Sequence, residues 1–231
     1  MCGTIQPCVS DEGVGSTPTA QLDFKNEEVM KKRKYIIPDD YMPTVDEVNR
    51  YINRWHSLDN YVNQEKALDL LFGEKCPYNT DLREVLIKCS TLNDFYSTNI
   101  FDIHSVAKHI CNLNIDERLM NGDLSLVNEI AKVKVGNMMK PRTFYSFATK
   151  YCSHHQPTKF AIYDSYVEKL LWDFQKRDSF SDFKLSDLKD YVTYMRVIRD
   201  FQRHYGLGDF NVKEQDQYLW QLGKKYFSQY E

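Results

Sequence analysis

Residues 145–168 read YSFATKYCSHHQPTKFAIYDSYVE, and this stretch predicts two helices joined by a short corner. Before Pro157, apolar side chains recur at helical spacing, and a proline ends such a helix because it lacks an amide hydrogen and clashes with the preceding turn. These apolar residues are Phe144, Phe147, Ala148 and Tyr151. After the corner, apolar residues again recur three and four apart, which predicts a second helix.

The corner carries one lysine and one aspartate whose spacing invites a chemical interpretation. Lys150 lies on the first helix one turn before His154, so we expect both side chains on one helical face. Asp164 follows Lys150 by fourteen residues and precedes Ser165 and Glu168, which have the spacing of a capping box. Helix capping alone explains such an aspartate, and a lysine on an amphipathic helix is usually solvated. The spacing by itself therefore leaves a structural role open for both residues.

The rest of the chain shows the same helical periodicity from Thr44 onward. Thr44 and Glu47 have the spacing of a capping box, and Gly73 is predicted to end the second helix as a C-cap. Ser186 is predicted to open a long helix that closes near Gly206. Because alternating patterns are short, we predict eight or nine helices with few strands or none, hence a compact all-α domain.

Length and composition favour one helical domain with a terminal tail. The chain has 231 residues, of which 42% are hydrophobic, enough for one core. Residues 1–35 are rich in small and polar residues and end in a basic cluster, so we predict a disordered tail and basic linker there. Residues 36–231 are predicted to form the all-α domain.

Cysteine usage and hydropathy exclude several classes of protein. No two of the six cysteines form a CxxC pair, and His154 and His155 lack a third ligand at a suitable spacing, so we predict neither a metal site nor a cofactor. The sequence contains no signal peptide and no apolar run of membrane length. Scattered cysteines without a secretion signal favour a cytoplasmic protein with free thiols, and we expect a monomer without membrane association.

The corner resembles the helix–hairpin–helix DNA glycosylases, most closely the branch related to 8-oxoguanine glycosylases. Ala148-Thr149-Lys150 is similar to the Gly-Thr-Lys of that family, and Ala161-Ile162-Tyr163-Asp164 is similar to its Val-Pro-Val-Asp. The segments YSFATKY and IYDSYV, with the closing DQYLWQLGKKYF, also resemble uncharacterised bacterial proteins assigned this fold. The resemblance covers about 25 residues closely and the remainder only in architecture, and it implies the helix–hairpin–helix glycosylase fold.

The resemblance implies a DNA N-glycosylase/AP lyase that acts on duplex DNA with a flipped modified base, such as an oxidised purine. A base inside a duplex is inaccessible, so such enzymes extrude it into a pocket. Lys150 would attack C1′ and form a Schiff base, while Asp164 would stabilise the developing positive charge. His154, Gln217 and Trp220 would contact the base. Four residues around the turn before the first helix would meet phosphates: Lys134, Gly136, Lys140 and Arg142. In this turn Pro141 also suits the first position of the helix.

A second interpretation is a catalytically inactive helical module that binds nucleic acid or a protein partner. The net charge of −3 favours it, because nucleic-acid-binding domains are usually basic. The glycine-rich hairpin of the glycosylases is reduced here to Gly136, and the interval from Lys150 to Asp164 is shorter than in that family. The retained lysine and aspartate favour the enzyme.

Overall fold

Helices dominate the computed structural model, which describes residues 35–136 and 140–228. Within these ranges there are ten α-helices, one π-helix, one 3-10 helix and one pair of two-residue antiparallel strands, so the helical class is confirmed. The α-helices are α1 (Val45–Trp55), α2 (Asp59–Asp69), α3 (Leu82–Phe95), α4 (Ile103–Asn112), α5 (Asp116–Asn121), α6 (Ser125–Ala131), α7 (Tyr145–His155), α8 (Ser165–Asp178), α9 (Tyr191–His204) and α10 (Val212–Phe227). The other elements are the π-helix Leu70–Lys75, the 3-10 helix Leu185–Lys189, β1 (Lys132–Val133) and β2 (Arg142–Thr143).

The compact unit that carries these elements begins at Ile37, close to the predicted boundary. Residues 1–34, which hold nearly all of the predicted tail and linker, lie outside the described residues. No helix in the described part of the chain combines the length and apolar character needed to cross a bilayer.

Local signals placed several helix ends correctly. The Thr44 hydroxyl accepts a hydrogen bond from the Glu47 amide at 3.2 Å, which is the predicted cap of α1. Asp164 is the N-cap of α8 and accepts from the Tyr166 amide at 2.8 Å. Helix α7 ends at His155, just before Pro157, as predicted. These contacts involve neighbours within three residues, so the sequence alone specifies them.

Other predicted ends were wrong because tertiary packing overrides local signals. Gly73 lies inside the π-helix and caps nothing. Helix α7 begins at Tyr145, and Pro141 precedes β2 instead of opening the helix. Ser186 belongs to the 3-10 helix, and the long helix α9 starts after the cap Asp190.

The core surrounds α7 on nearly every side. Helices α3 and α6 and the π-helix pack against α7, so its polar residues Thr149, Lys150 and Ser153 are buried together with its apolar ones. The face that carries Lys150 therefore does not meet bulk water. Helix α10 packs against both α1 and α8 and brings a distant part of the chain to the same region.

Candidate active site

The corner between α7 and α8 forms one wall of a cavity of about 460 Å³. Lys150 and Asp164 both line it, so the structure brings together the two predicted catalytic side chains. Helices α1, α2 and α10 supply the other walls. Their contributions include Trp55, Tyr61, Glu65, Lys213, Asp216, Gln217, Trp220 and Lys224.

The Lys150 amine is held inside the protein by neutral groups. Nζ donates to Ser146 Oγ at 2.6 Å and to the Tyr163 carbonyl oxygen at 3.3 Å. It also lies 5.1 Å from the ring centroid of Tyr96, and the residue is 3% exposed. Burial lowers the pKa of Lys150, and the nearby carboxyls of Asp164 and Asp216 oppose this shift only in part. Burial therefore shifts Lys150 towards the unprotonated amine, the nucleophilic form, relative to a lysine in water.

Asp164 has a capping role and also faces the site. One oxygen of its carboxyl accepts from the Tyr166 amide at 2.8 Å, and the residue is half-buried where it lines the cavity. The cap fixes the carboxyl at the N-terminal end of α8. Its negative charge acts through space on the Lys150 amine, whose direct partners are neutral oxygens.

His154 is buried behind the cavity wall. It is 6% exposed and is absent from the described residues that line this cavity. Its Nε2 forms a hydrogen bond of 3.0 Å with the Tyr96 hydroxyl. Burial lowers the pKa of His154 to about 3, so the ring is neutral at physiological pH. Tyr96, which follows α3, lines the cavity and lies between it and His154.

The two residues predicted on the last helix do face the cavity. Gln217 and Trp220 of α10 line it, and both are half-buried. The Trp220 ring packs edge-on against Trp55 at 5.9 Å and Tyr61 at 5.0 Å between centroids. Lys224 lies above this aromatic group, 4.9 Å from the Trp220 centroid, and donates to the Tyr61 hydroxyl at 2.9 Å.

Asp216 is a candidate site residue that the sequence reasoning missed. It is 7% exposed and lines the cavity, and its Oδ2 accepts from the Ile162 amide at 2.8 Å. Its Oδ1 is buried and has no partner among the described residues. Burial raises its pKa to about 8, so the carboxyl holds a proton at neutral pH. The available signal was its position one turn before Trp220, because residues four apart share a helical face.

The connection between α7 and α8 ties these groups together. Ile162 and Tyr163 are consecutive, and their peptide groups hold Asp216 on one side and the Lys150 amine on the other. The Tyr163 amide also donates to the Thr149 hydroxyl at 3.1 Å, which pins the connection to α7. The same short stretch of backbone, Ile162 and Tyr163, therefore helps to position both Asp216 and the Lys150 amine.

A second cavity, of about 420 Å³, shares the wall formed by Lys150 and Asp164. Its remaining lining is more polar and includes Thr98, Thr143, Phe144, Ser146, Ser165, Glu168 and Lys189. Lys150 therefore stands between an aromatic cavity and a more polar one.

The residues predicted to contact phosphates lie outside both cavities. Lys134, Gly136, Lys140 and Arg142 lie around the strand pair, and none of them lines either cavity in the described ranges. Gly136 has φ of +52°, as expected for a glycine that turns the chain, whereas Asn137 lies outside the described residues. The Arg142 guanidinium lies 5.6 Å from the centroid of Phe144, a residue that lines the second cavity.

These features define a mostly helical protein with a buried lysine between two cavities. Over 150 residues the chain is 52% identical to a protein of Haemophilus influenzae described as uncharacterized, and this match covers 64% of the chain and 71% of that protein. The family model HI_0787_N, described as an N-terminal domain, matches residues 47–159, which include Lys150 and end before Asp164. The chain belongs to the family of this Haemophilus influenzae protein. No solved structure matches the chain.

Proposed function

We propose that this protein is a DNA N-glycosylase/AP lyase with the helix–hairpin–helix glycosylase fold, and that Lys150 is its nucleophile. The observation that carries the proposal is the buried Lys150 amine, with a lowered pKa, on a cavity wall that it shares with Asp164. A buried lysine whose pKa is lowered by desolvation is the usual form of an amine that attacks carbon. Perturbed pKa values in a cavity are also typical of catalytic sites.

The reaction uses both charged groups of the corner. The Lys150 lone pair forms a bond to C1′ as the glycosidic bond breaks, and the bonding electrons leave with the base. The Asp164 carboxylate stabilises the positive charge that develops on the sugar. The departing base takes up a proton, and Asp216, which lines the same cavity and is protonated at neutral pH, is a source of it.

Strand cleavage follows from the same amine. The attacking nitrogen loses a proton and the sugar ring opens, which leaves a Schiff base between Lys150 and C1′. Loss of a C2′ proton then expels the 3′ phosphate by β-elimination. A Schiff base is reduced by borohydride to a stable amine, so the intermediate can be trapped on the protein.

The cavity supports a flipped base as the bound group. Its lining combines several aromatic rings, on which bases stack, with the amide of Gln217 and the carboxyl of Asp216, which can form hydrogen bonds with a base edge. The modified base is the substrate class that the sequence resemblance implies.

The test is borohydride trapping on duplexes that carry an abasic site or one of a panel of modified bases. We expect the wild-type protein to form a crosslink that maps to Lys150, and we expect Lys150→Gln to form none. The matched control is Lys88→Gln, because Lys88 is also a buried lysine but lines neither cavity among the described residues. Circular dichroism of both variants checks that each is folded. Absence of any Lys150-dependent crosslink across the panel would refute the proposal.

The alternative is a catalytically inactive helical module that binds nucleic acid or a protein partner. The net charge of −3 and the single glycine of the hairpin, Gly136, favour it. This alternative predicts duplex binding without a crosslink, or no binding of DNA at all, so the same trapping experiment separates it from the enzyme.

A further inference from the structure

Tyr96 stands where the two cavities meet and lines both of them. Its ring centroid lies 5.1 Å from the Lys150 amine, and its hydroxyl forms a hydrogen bond with His154 Nε2. Although these two neighbours are buried, Tyr96 itself is 37% exposed. Tyr96 thus lines both cavities and is far more exposed than the Lys150 and His154 side chains that it contacts.

The Tyr96 side chain is held at its hydroxyl, and the loop that follows the residue is also held by hydrogen bonds. Its hydroxyl is held by His154 Nε2 at 3.0 Å. The loop that follows it is clamped by Asn93, whose Oδ1 accepts from the Thr98 hydroxyl at 2.7 Å and from the Ile100 amide at 2.9 Å. Ser97, the next residue, adopts φ of +48°, a conformation that costs energy for a residue with a side chain. A ring held in this way loses little freedom when something stacks on it.

We propose that the Tyr96 ring is the stacking face for a planar heteroaromatic ligand in the 460 Å³ cavity. Trp55 and Trp220 contribute aromatic surface to the same cavity, and Gln217 offers hydrogen bonds to the edge of a heterocycle. The identification of the ligand as a DNA base rests on the proposed function, whereas the stacking itself does not.

Binding of free nucleosides tests the stacking directly. Two of the three tryptophans line the cavity, while Trp172 packs against Phe183 elsewhere, so Trp172→Phe removes background fluorescence. The probes are guanosine, adenosine and their 8-oxo derivatives, titrated against tryptophan emission. Alanine removes the ring and with it the stacking contribution to the binding free energy. We therefore expect Tyr96→Ala to weaken binding about 5- to 150-fold.

Two further variants separate the ring from its anchor. Tyr96→Phe keeps the ring and loses the hydrogen bond to His154, so we expect binding within about threefold of the wild-type value. His154→Gln keeps a polar partner for the hydroxyl and should behave like Tyr96→Phe. If Tyr96→Ala binds as tightly as the wild-type protein, or if no nucleoside quenches the emission, the stacking proposal is overturned.

Duplex substrates separate this proposal from the proposed function. An abasic site presents C1′ without a base, so we expect Tyr96→Ala to lower excision of a modified base by a larger factor than trapping on the abasic site. If trapping on the abasic site and base excision fall equally in Tyr96→Ala, the ring serves only to hold Lys150 and the stacking proposal is wrong. If the wild-type protein is trapped on no duplex, the proposed function fails, and the nucleoside titration alone decides whether Tyr96 stacks a ligand.

Discussion

Replacing Asp216 by asparagine should stabilise the protein by an amount that grows with pH. Burial raises the pKa of Asp216 from its ordinary value of 3.8 to about 8. The folded protein therefore holds one proton more than the unfolded chain between these values, and its stability falls as pH rises through that window. Below about pH 4 the carboxyl is protonated in both states, and this penalty vanishes.

The size of the effect follows from linkage between proton binding and folding. One extra proton in the folded state lowers the free energy of unfolding by about 1.4 kcal/mol per pH unit. The amide side chain introduced by Asp216→Asn is neutral at every pH and can still accept from the Ile162 amide through its oxygen. Between about pH 4.5 and about pH 7.5 the stability advantage of the variant should therefore increase by about 4 kcal/mol.

The assay is urea unfolding of the wild-type protein and Asp216→Asn at three pH values in this interval. Asp81→Asn is the control, because hydrogen bonds from Arg83 lower the pKa of Asp81 to about 2 and keep it charged throughout the interval. Its difference from the wild-type protein should not change with pH. A repeat in a Lys213→Met background removes the larger of the two lysine contributions that lower the pKa of Asp216, so the slope should persist there. A difference between Asp216→Asn and wild type that stays constant with pH would show that Asp216 is ionised in the folded protein.

Three other substitutions probe packing, a buried charge and a helix cap. A Cβ at Gly223 would lie 2.8 Å from the Tyr166 carbonyl oxygen. We expect this overpacking in Gly223→Ala to lower the free energy of unfolding by about 1–3 kcal/mol, against a gain of about 1 kcal/mol in helix propensity. The urea midpoint should therefore fall. Burial lowers the pKa of Lys88 to about 8. Between about pH 8 and about pH 10 the unfolded chain therefore holds one proton more than the folded protein, and the stability of the wild-type protein should rise with pH. In thermal melts across that range, Lys88→Met should lack this rise. Asn211 and Glu214 form a reciprocal capping box on α10, so Asn211→Ala should lower the free energy of unfolding by about 1 kcal/mol in urea, and an unchanged midpoint would contradict the cap.

The sequence by itself determined the features that depend on near neighbours. Helical spacing predicted most of the helices, Pro157 marked the end of α7, and the spacing around Asp164 placed it at the start of α8. The six-residue helix α5 was not predicted, because so short a segment shows less than two turns of periodicity. The resemblance at the corner selected Lys150 and Asp164, and whether they perform catalysis stays a prediction.

Only the tertiary structure decided what surrounds the lysine. Periodicity placed Lys150 and His154 on one helical face, and the packing of Tyr96 against both of them buries that face and lowers the pKa of the amine. Tyr96 reaches His154 across 58 residues of sequence, and Asp216 reaches Ile162 across 54. Contacts over such separations depend on how whole helices pack, and the spacing of residues within one helix carries no information about them.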